Sequence, residues 1–245
     1  EAYEDNDATN LACANALFGA EKISGKLPVS ASTAFAAGTG FISDTVYRLK
    51  ISSPEEVGLQ TTDFKKAEEL HKKAKESGLI FCLTHNYTGY PMVRQAKAMV
   101  EDGQLGTIRL IQVEYVQGGK ADEEKPMLDV LPWKYDPARG GPSLVMGDIG
   151  THAHNLTRFI TGLELAEVAA EIGNIVPGRL VHDFAGAMLR FESGARGNFW
   201  VTQAAAGVEN CLRIRVSGTK GSLEWMQEFP QTLTFKPLHG PSQNR

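Results

Sequence analysis

The sequence has few cysteines, and none of them forms a metal-binding motif. Cys13, Cys82 and Cys211 lie far apart in mostly apolar surroundings. A disulfide framework or a zinc site needs cysteines that are paired or closely spaced. We therefore expect reduced thiols in a reducing compartment and predict a cytoplasmic protein.

Long apolar runs and an excess of charge of one sign are also missing. No apolar run approaches the ~20 residues of a membrane span, and the first residues, EAYEDNDATN, are acidic where a signal peptide would be basic and then apolar. The formal net charge of -4 provides no basic surface for nucleic acid. With 245 residues, 42% of them hydrophobic, the chain is long enough to bury a core. A globular protein that binds neither a membrane nor a nucleic acid is predicted.

The pattern of the sequence changes near residue 60. Residues 1–60 are rich in Ala, Gly and Ser and contain only short apolar runs, so they are predicted to form a separate N-terminal segment. A capped amphipathic helix is predicted to end at Gly78. The continuously apolar run LIFCLTH, residues 79–85, is typical of a strand buried on both faces of a parallel sheet. Residues 61–85 are thus interpreted as the remnant helix–strand unit of a truncated Rossmann-type domain.

An α+β domain is predicted for residues 86–245. A helix begins at Pro91 and ends before Gly103, and a long strand rich in β-branched residues, TIRLIQVEYVQ, follows. After a helix over residues 147–160, short alternating segments recur from Glu167 onward, which predicts one large, mainly antiparallel sheet. Helices can cover only one face of it, so the other face must meet solvent or a partner subunit. We therefore predict a homo-oligomer formed through the open face.

An aspartate and a histidine four residues apart carry the clearest chemical signal. Asp148, His152 and Asn155 form one stripe of the predicted helix, and a carboxylate at this spacing can contact the imidazole, orient it and raise its basicity. Such a histidine can serve as general base for a substrate hydroxyl. The alternative is a structural Asp–His pair, and spacing alone does not decide between them. His152 and His154 point about 200° apart on a helix, so no metal site is predicted.

Three segments resemble the Gfo/Idh/MocA family of oxidoreductases in order and spacing. They are THNYTGYPMVRQAKAMVEDGQLGTIRLIQVEYVQG, the loop from Trp133 to Arg139, and GDIGTHAHNLTRFITG, and the resemblance covers roughly residues 61 to 240. It implies an NAD(P)-dependent oxidoreductase acting on a sugar or polyol, of which this chain holds mainly the substrate-binding domain. In that family the histidine corresponding to His152 takes the proton of the substrate hydroxyl, and Asp148 orients it or binds the substrate.

The resemblance also implies further residues that bind the substrate. Tyr87 is expected to line the same pocket, and Asn155, Trp133 and Arg139 are the other candidates. For Trp133 the alternative is a core aromatic residue, and for Arg139 it is a solvated loop charge. His85 is left unassigned, because it fits a core histidine as well as a pocket residue.

NAD or NADP is the cofactor that the resemblance implies, but the sequence lacks the family's cofactor motifs. No strand, GxGxxG turn and helix precede the predicted helix, and the family's Glu-Lys-Pro motif is replaced by residues 55–59, EEVGL. Cofactor-binding residues therefore cannot be named, and tight cofactor binding by this chain alone is not expected. A catalytically inactive sugar-binding or assembly module is the alternative function.

A second, short resemblance lies within residues 1–60. The stretch LFGAEKISGKLPVS resembles the end of the second catalytic-core domain of family 3 glycoside hydrolases. None of that family's acid or nucleophile motifs accompanies it. No glycosidase activity is expected from this segment.

Overall fold

The structure, a computed structural model, describes residues 61–80, 82–122 and 132–245. The chain divides into two compact units, residues 1–81 and residues 82–245, and each is described by itself. The predictions made for residues 1–60 lie outside the described residues. Within the described ranges, no helix is long and apolar enough to cross a membrane.

The first unit contains the predicted helix but not the predicted strand. Helix α1 spans Thr61–Ser77 and is followed by Gly78 at a φ of 64°, a left-handed conformation that glycine adopts without steric cost. The strand predicted over residues 79–85 is wrong, because residues 79, 80 and 82–85 have no regular secondary structure. Ile80 is 97% exposed. A parallel strand needs neighbours that satisfy its backbone and cover its side chains, and in the described part of the chain no strand pairs with this segment.

Two main helices and several short helical turns belong to the second unit. Helix α2 begins at Pro91, whose missing N–H costs nothing at a first helical position, and ends at Glu101. Helix α4, Thr151–Thr161, continues directly from a π-helical turn. The short segments are the 3-10 turns Asn86–Gly89 and Trp133–Tyr135, helix α3 at Pro137–Gly140, and the π-helical turn Met146–Gly150.

Eight strands of the second unit form one sheet. They are β1 Ile108–Val116, β2 Leu165–Gly173, β3 Phe184–Phe191, β4 Arg196–Thr202, β5 Cys211–Gly218, β6 Gly221–Met226, β7 Leu233–Pro237 and β8 Gln243–Asn244. Their order is β2-β3-β4-β1-β5-β6-β7-β8. Only β1 and β4 run parallel, whereas every other pair of neighbours is antiparallel. The prediction of one large, mainly antiparallel sheet is confirmed.

Helices cover one face of this sheet and leave the other open. Alternate strand residues point to the helices, and with the inner sides of α2 and α4 they form one core. Its fully buried members include Val93, Met99, Leu156, Ile160, Ile111, Leu212, Ile214 and Trp225. On the open face Leu110, Met188 and Trp200 are 56%, 49% and 44% exposed. The predicted arrangement of helices on one face is confirmed.

A buried ion pair fixes the loop between β2 and β3. The carboxylate of Asp183 accepts hydrogen bonds from the backbone N–H groups of Ile175 and Val176, at 2.7 and 3.1 Å, and from Arg179 Nη1 at 3.1 Å. The side chains of Arg179 and Asp183 are 1% and 0% exposed. Arg179 Nη2 also donates to the carbonyl oxygen of Lys120 at 2.8 Å. The pair therefore joins the β2–β3 loop to the segment that follows β1.

Replacing Asp183 with alanine is expected to lower the free energy of unfolding by about 3–5 kcal/mol, because the buried Arg179 charge loses the carboxylate that compensates it. Urea unfolding followed by circular dichroism measures the change. Glu167→Ala is the control: its ion pair with Arg190, at 2.8 Å, is about half exposed on both sides and should contribute only about 0–1 kcal/mol. Equal losses in the two variants would contradict the anchoring role.

Candidate functional site

Three side-chain amides meet at one end of the sheet. Because β1 and β4 are parallel, their C-terminal ends lie side by side, and antiparallel β5 begins at the same place. Gln117 follows β1, Gln203 follows β4 and Asn210 precedes β5. Gln203 Nε2 donates to Gln117 Oε1 at 2.7 Å, and Gln117 Nε2 donates to Asn210 Oδ1 at 2.6 Å. The amides thus form a continuous hydrogen-bonded chain.

One end of this chain reaches a pair of tyrosines. Tyr115 Oη donates to Asn210 Oδ1 at 2.8 Å and lies 2.5 Å from Tyr87 Oη. Burial raises the pKa of Tyr115 well above its ordinary value, and the hydrogen bond with Tyr87 raises it further. Tyr115 therefore keeps its proton throughout the physiological pH range.

His152 packs against these tyrosines and a second histidine. The centroid of its ring lies 5.2 Å from that of Tyr87, 5.1 Å from that of His85 and 6.3 Å from that of Tyr115. Burial lowers the pKa of His152 from its ordinary value, and the charge of His85 lowers it further, whereas the charge of Asp148 opposes both. His152 is consequently neutral at pH 7, the form in which an imidazole accepts a proton. Its Nδ1 is buried and has no hydrogen-bond partner in the described ranges.

Asp148 lies at the other end of the amide chain. Its Oδ2 accepts hydrogen bonds from Lys134 Nζ at 3.1 Å and from Gln203 Nε2 at 3.4 Å, and no hydrogen bond between described residues joins it to His152. The contact that regular helical spacing allows is not made, because Asp148 lies in the π-helical turn. The wider turn changes the angular offset from His152. Asp148 therefore acts on His152 through its charge.

A cavity of about 270 Å³ opens beside Asp148. Trp133 and Lys134 line it together with Gly140, Ser143, Leu144, Gly147 and Asp148. Trp133 is 54% exposed, and Lys134 Nζ lies 5.7 Å from the centroid of its ring. Of the two alternatives for Trp133, the structure favours a residue at the wall of a cavity over a core aromatic residue.

The remaining predicted residues lie near this site without joining its hydrogen-bonded chain. Arg139 is exposed in the last turn of α3 and does not line the cavity. Asn155 is half-buried on α4, and its side chain makes no hydrogen bond to another described residue. The structure thus brings together Tyr87, Asp148, His152 and Trp133.

Several residues of the site were missed by the reasoning from sequence. They are Tyr115, Gln117, Lys134, Gln203 and Asn210. His85, which was left unassigned between core and pocket, packs against His152. The amides carried a usable signal, because each is a polar residue directly beside a strand end. Lys134 lies within the loop from Trp133 to Arg139 but was not singled out there.

Comparison with protein families gives a match for this region. Residues 93–224 match the family model described as the GFO/IDH/MocA C-terminal domain. An uncharacterized oxidoreductase of Bacillus subtilis, YfiI, is 32% identical over 179 residues, which cover 72% of this chain and 46% of that protein. The chain therefore spans about half the length of this curated relative.

Solved structures resemble the chain over a similar range. An oxidoreductase from Sinorhizobium meliloti is 43% identical with a TM-score of 0.63, covering 74% of this chain and 47% of that one. An inositol dehydrogenase homolog from Azotobacter vinelandii, complexed with NADH and myo-inositol, is 29% identical with a TM-score of 0.67, covering 74% and 46%. Both similarities extend over about half of the larger protein.

A pH titration followed by NMR should show His152 gaining its proton at a lower pH than an ordinary histidine side chain does, because burial lowers its pKa. In Asp148→Asn the titration moves to lower pH, because the carboxylate that favours the charged imidazole is gone. In His85→Asn it moves to higher pH, since a neighbouring like charge is removed. Shifts of the same sign in both variants would contradict this account of the site's electrostatics.

Proposed function

Because the chain belongs to the Gfo/Idh/MocA family of oxidoreductases, we propose that it supplies the substrate half of an NAD(P)-dependent dehydrogenase acting on a sugar or polyol hydroxyl. The observation that carries the proposal is the neutral His152 beside a hydrogen-bonded chain of amides, hydroxyls and a carboxylate. A molecule rich in hydroxyl groups offers donors and acceptors to such a chain. The structural relative from Azotobacter vinelandii is complexed with myo-inositol, which supports this substrate class.

In the proposed reaction His152 accepts the proton of the hydroxyl group that is oxidised. Its lowered pKa keeps a lone pair available at neutral pH, as a general base requires. The charge of Asp148 stabilises the imidazolium that forms. Tyr87, which packs against the His152 ring, would hold the substrate there. Trp133, Asn155 and Arg139 are proposed to contact more distant parts of the substrate.

The described residues do not fit the dinucleotide that the family implies. A pyrophosphate is held where a strand, a glycine-rich turn and a helix N-terminus meet. Here the apolar segment around Ile80 forms no strand, and no GxGxxG occurs in the sequence. Hydride transfer therefore requires a nucleotide-binding half that these residues do not provide.

The hydrogen-bonded chain of amides also supports a second function, a polyol-binding module without redox chemistry. Such a module would keep the amide chain and the tyrosine pair but would not need His152 as a base. Cofactor binding separates the two functions. A protein that joins this chain to a nucleotide-binding half would distinguish them. As a dehydrogenase it would reduce NAD or NADP in the presence of a polyol, whereas as a binding module it would not.

Calorimetric titration of this chain with myo-inositol should show binding. In Asp148→Asn the affinity should fall by about tenfold or more, because hydrogen bonds to a charged group are lost. Glu192→Gln, an exposed carboxylate in the turn after β3, is the matched control and should bind normally. NADH fluorescence should not change up to millimolar concentration. Absence of binding to every sugar and polyol tested would refute the proposed function.

We further propose that the open face of the sheet mediates association of two copies of this chain in the cytoplasm. The face exposes Leu110, Met188 and Trp200, and the ion pairs of Arg213 and Arg215 with Glu224 lie beside them. Apolar groups surrounded by charged ones are typical of interfaces. The free thiols of Cys82 and Cys211 support the cytoplasmic location.

Light scattering should give the mass of a dimer or a larger oligomer, and Trp200→Glu should convert it to a monomer. A carboxylate at position 200 would lie directly opposite Glu114 on β1 and would have to lose its water on association. Phe229→Glu is the control, because Phe229 is 68% exposed in the turn after β6 and should tolerate the charge. A wild-type protein that is monomeric at all concentrations would contradict association through this face.

A further inference from the structure

We propose that Gln203 determines substrate specificity by accepting a hydrogen bond from a substrate hydroxyl other than the one that is oxidised. The inference rests on the proposed function and deepens it. It assigns to one residue the recognition of a second hydroxyl group on the same molecule. Two features of the site point to this role: the donor-to-acceptor direction of the amide chain, and one oxygen that the chain leaves without a donor.

Asp148 fixes the orientation of the whole chain. An ionised carboxylate only accepts hydrogen bonds, so the group of Gln203 that faces Asp148 Oδ2 is the donor Nε2. The same Nε2 donates to Gln117 Oε1, which turns the Gln117 amide so that its own nitrogen faces Asn210. Flipping the Gln203 amide would place its oxygen against Asp148 Oδ2 and Gln117 Oε1, and both of these atoms are acceptors. The orientation is therefore set by charge and not by a choice between equivalent amide positions.

In this orientation Gln203 Oε1 has no donor among the described residues. Gln203 is only 4% exposed, and its Oε1 is buried without a hydrogen-bond partner in the described residues. A buried carbonyl oxygen in this state destabilises the site until a donor arrives. The backbone of Gln203 is held on both sides, since its N–H donates to Asp183 and its carbonyl accepts from Lys120. The residue is thus fixed in place, and its buried oxygen has no donor among the described residues.

A polyol hydroxyl is the donor that this position fits. Lys134 Nζ and Gln203 Nε2 contact the same oxygen of Asp148, at 3.1 and 3.4 Å, so Lys134 and Gln203 lie close together. A hydroxyl group both donates and accepts, whereas an ether or a ketone only accepts. It can donate to Gln203 Oε1 and accept from the Lys134 ammonium group. The site should therefore prefer a free hydroxyl group over a deoxy or methylated carbon.

The test is calorimetric binding of myo-inositol and its monodeoxy derivatives to the full chain. Gln203→Met keeps the length of the side chain without its carbonyl group, and it should weaken myo-inositol binding by about tenfold. Gln243→Met, an exposed glutamine on β8, should bind as the wild type does. The wild type should discriminate against one monodeoxy isomer by about tenfold, and Gln203→Met should lose that discrimination. Unchanged affinity together with unchanged discrimination would overturn the role of Gln203.

Two outcomes separate this inference from the proposed function. If the wild type binds neither myo-inositol nor any related polyol, both are refuted. If it binds and Gln203→Met binds equally well, only the inference fails. Should Gln203→Met not fold, as judged by circular dichroism, a crystal structure of the wild type with myo-inositol decides. A ligand hydroxyl within about 3.2 Å of Gln203 Oε1 supports the inference, and its absence overturns it.

Discussion

The parallel pairing of β1 and β4 is the constraint on which the site depends. Every other pair of neighbours in the sheet is antiparallel. If β1 and β4 were antiparallel as well, the C-terminal end of β4 would lie at the opposite end of the sheet. Because the two strands run together, Gln117 and Gln203 leave the sheet side by side although 86 residues separate them. The topology of the sheet, rather than a local motif, assembles the amide chain.

The buried ion pair of Arg179 and Asp183 fixes the loops that lie beside these strand ends. The backbone of Asp183 accepts hydrogen bonds from Thr202 Oγ1 and, more weakly, from the N–H of Gln203 at the end of β4. The Arg179 guanidinium lies 5.6 Å from the centroid of the Tyr135 ring, in the turn that also carries Lys134. A buried ion pair contributes little net stability, yet loss of one partner costs about 3–5 kcal/mol. Its value here is that it fixes loops on which site residues lie.

Regular helices and strands could be predicted from the sequence because their periodicity is local. The helix predicted over residues 147–160 is present, with Ile149, Ala153, Leu156 and Ile160 buried at helical spacing, and so is the predicted large sheet. The strand over residues 79–85 was wrong, since an apolar run becomes a strand only if neighbours pair with it. Gln117, Gln203 and Asn210 were missed because their proximity arises from three strand ends far apart in sequence.

The spacing of Asp148 and His152 predicted that the two side chains could be in contact. Both lie in the site, but no hydrogen bond between described residues joins them. Regular helical geometry puts them in contact, but the π-helical turn at Met146–Gly150 displaces Asp148 toward Lys134 and Gln203. Sequence periodicity gives no sign of this turn, because the buried residues Ile149, Ala153, Leu156 and Ile160 keep the spacing of a regular α-helix. As a consequence the Asp148 carboxylate does two things at once. It raises the proton affinity of His152 from a distance, and it orients three amides by contact with the first of them.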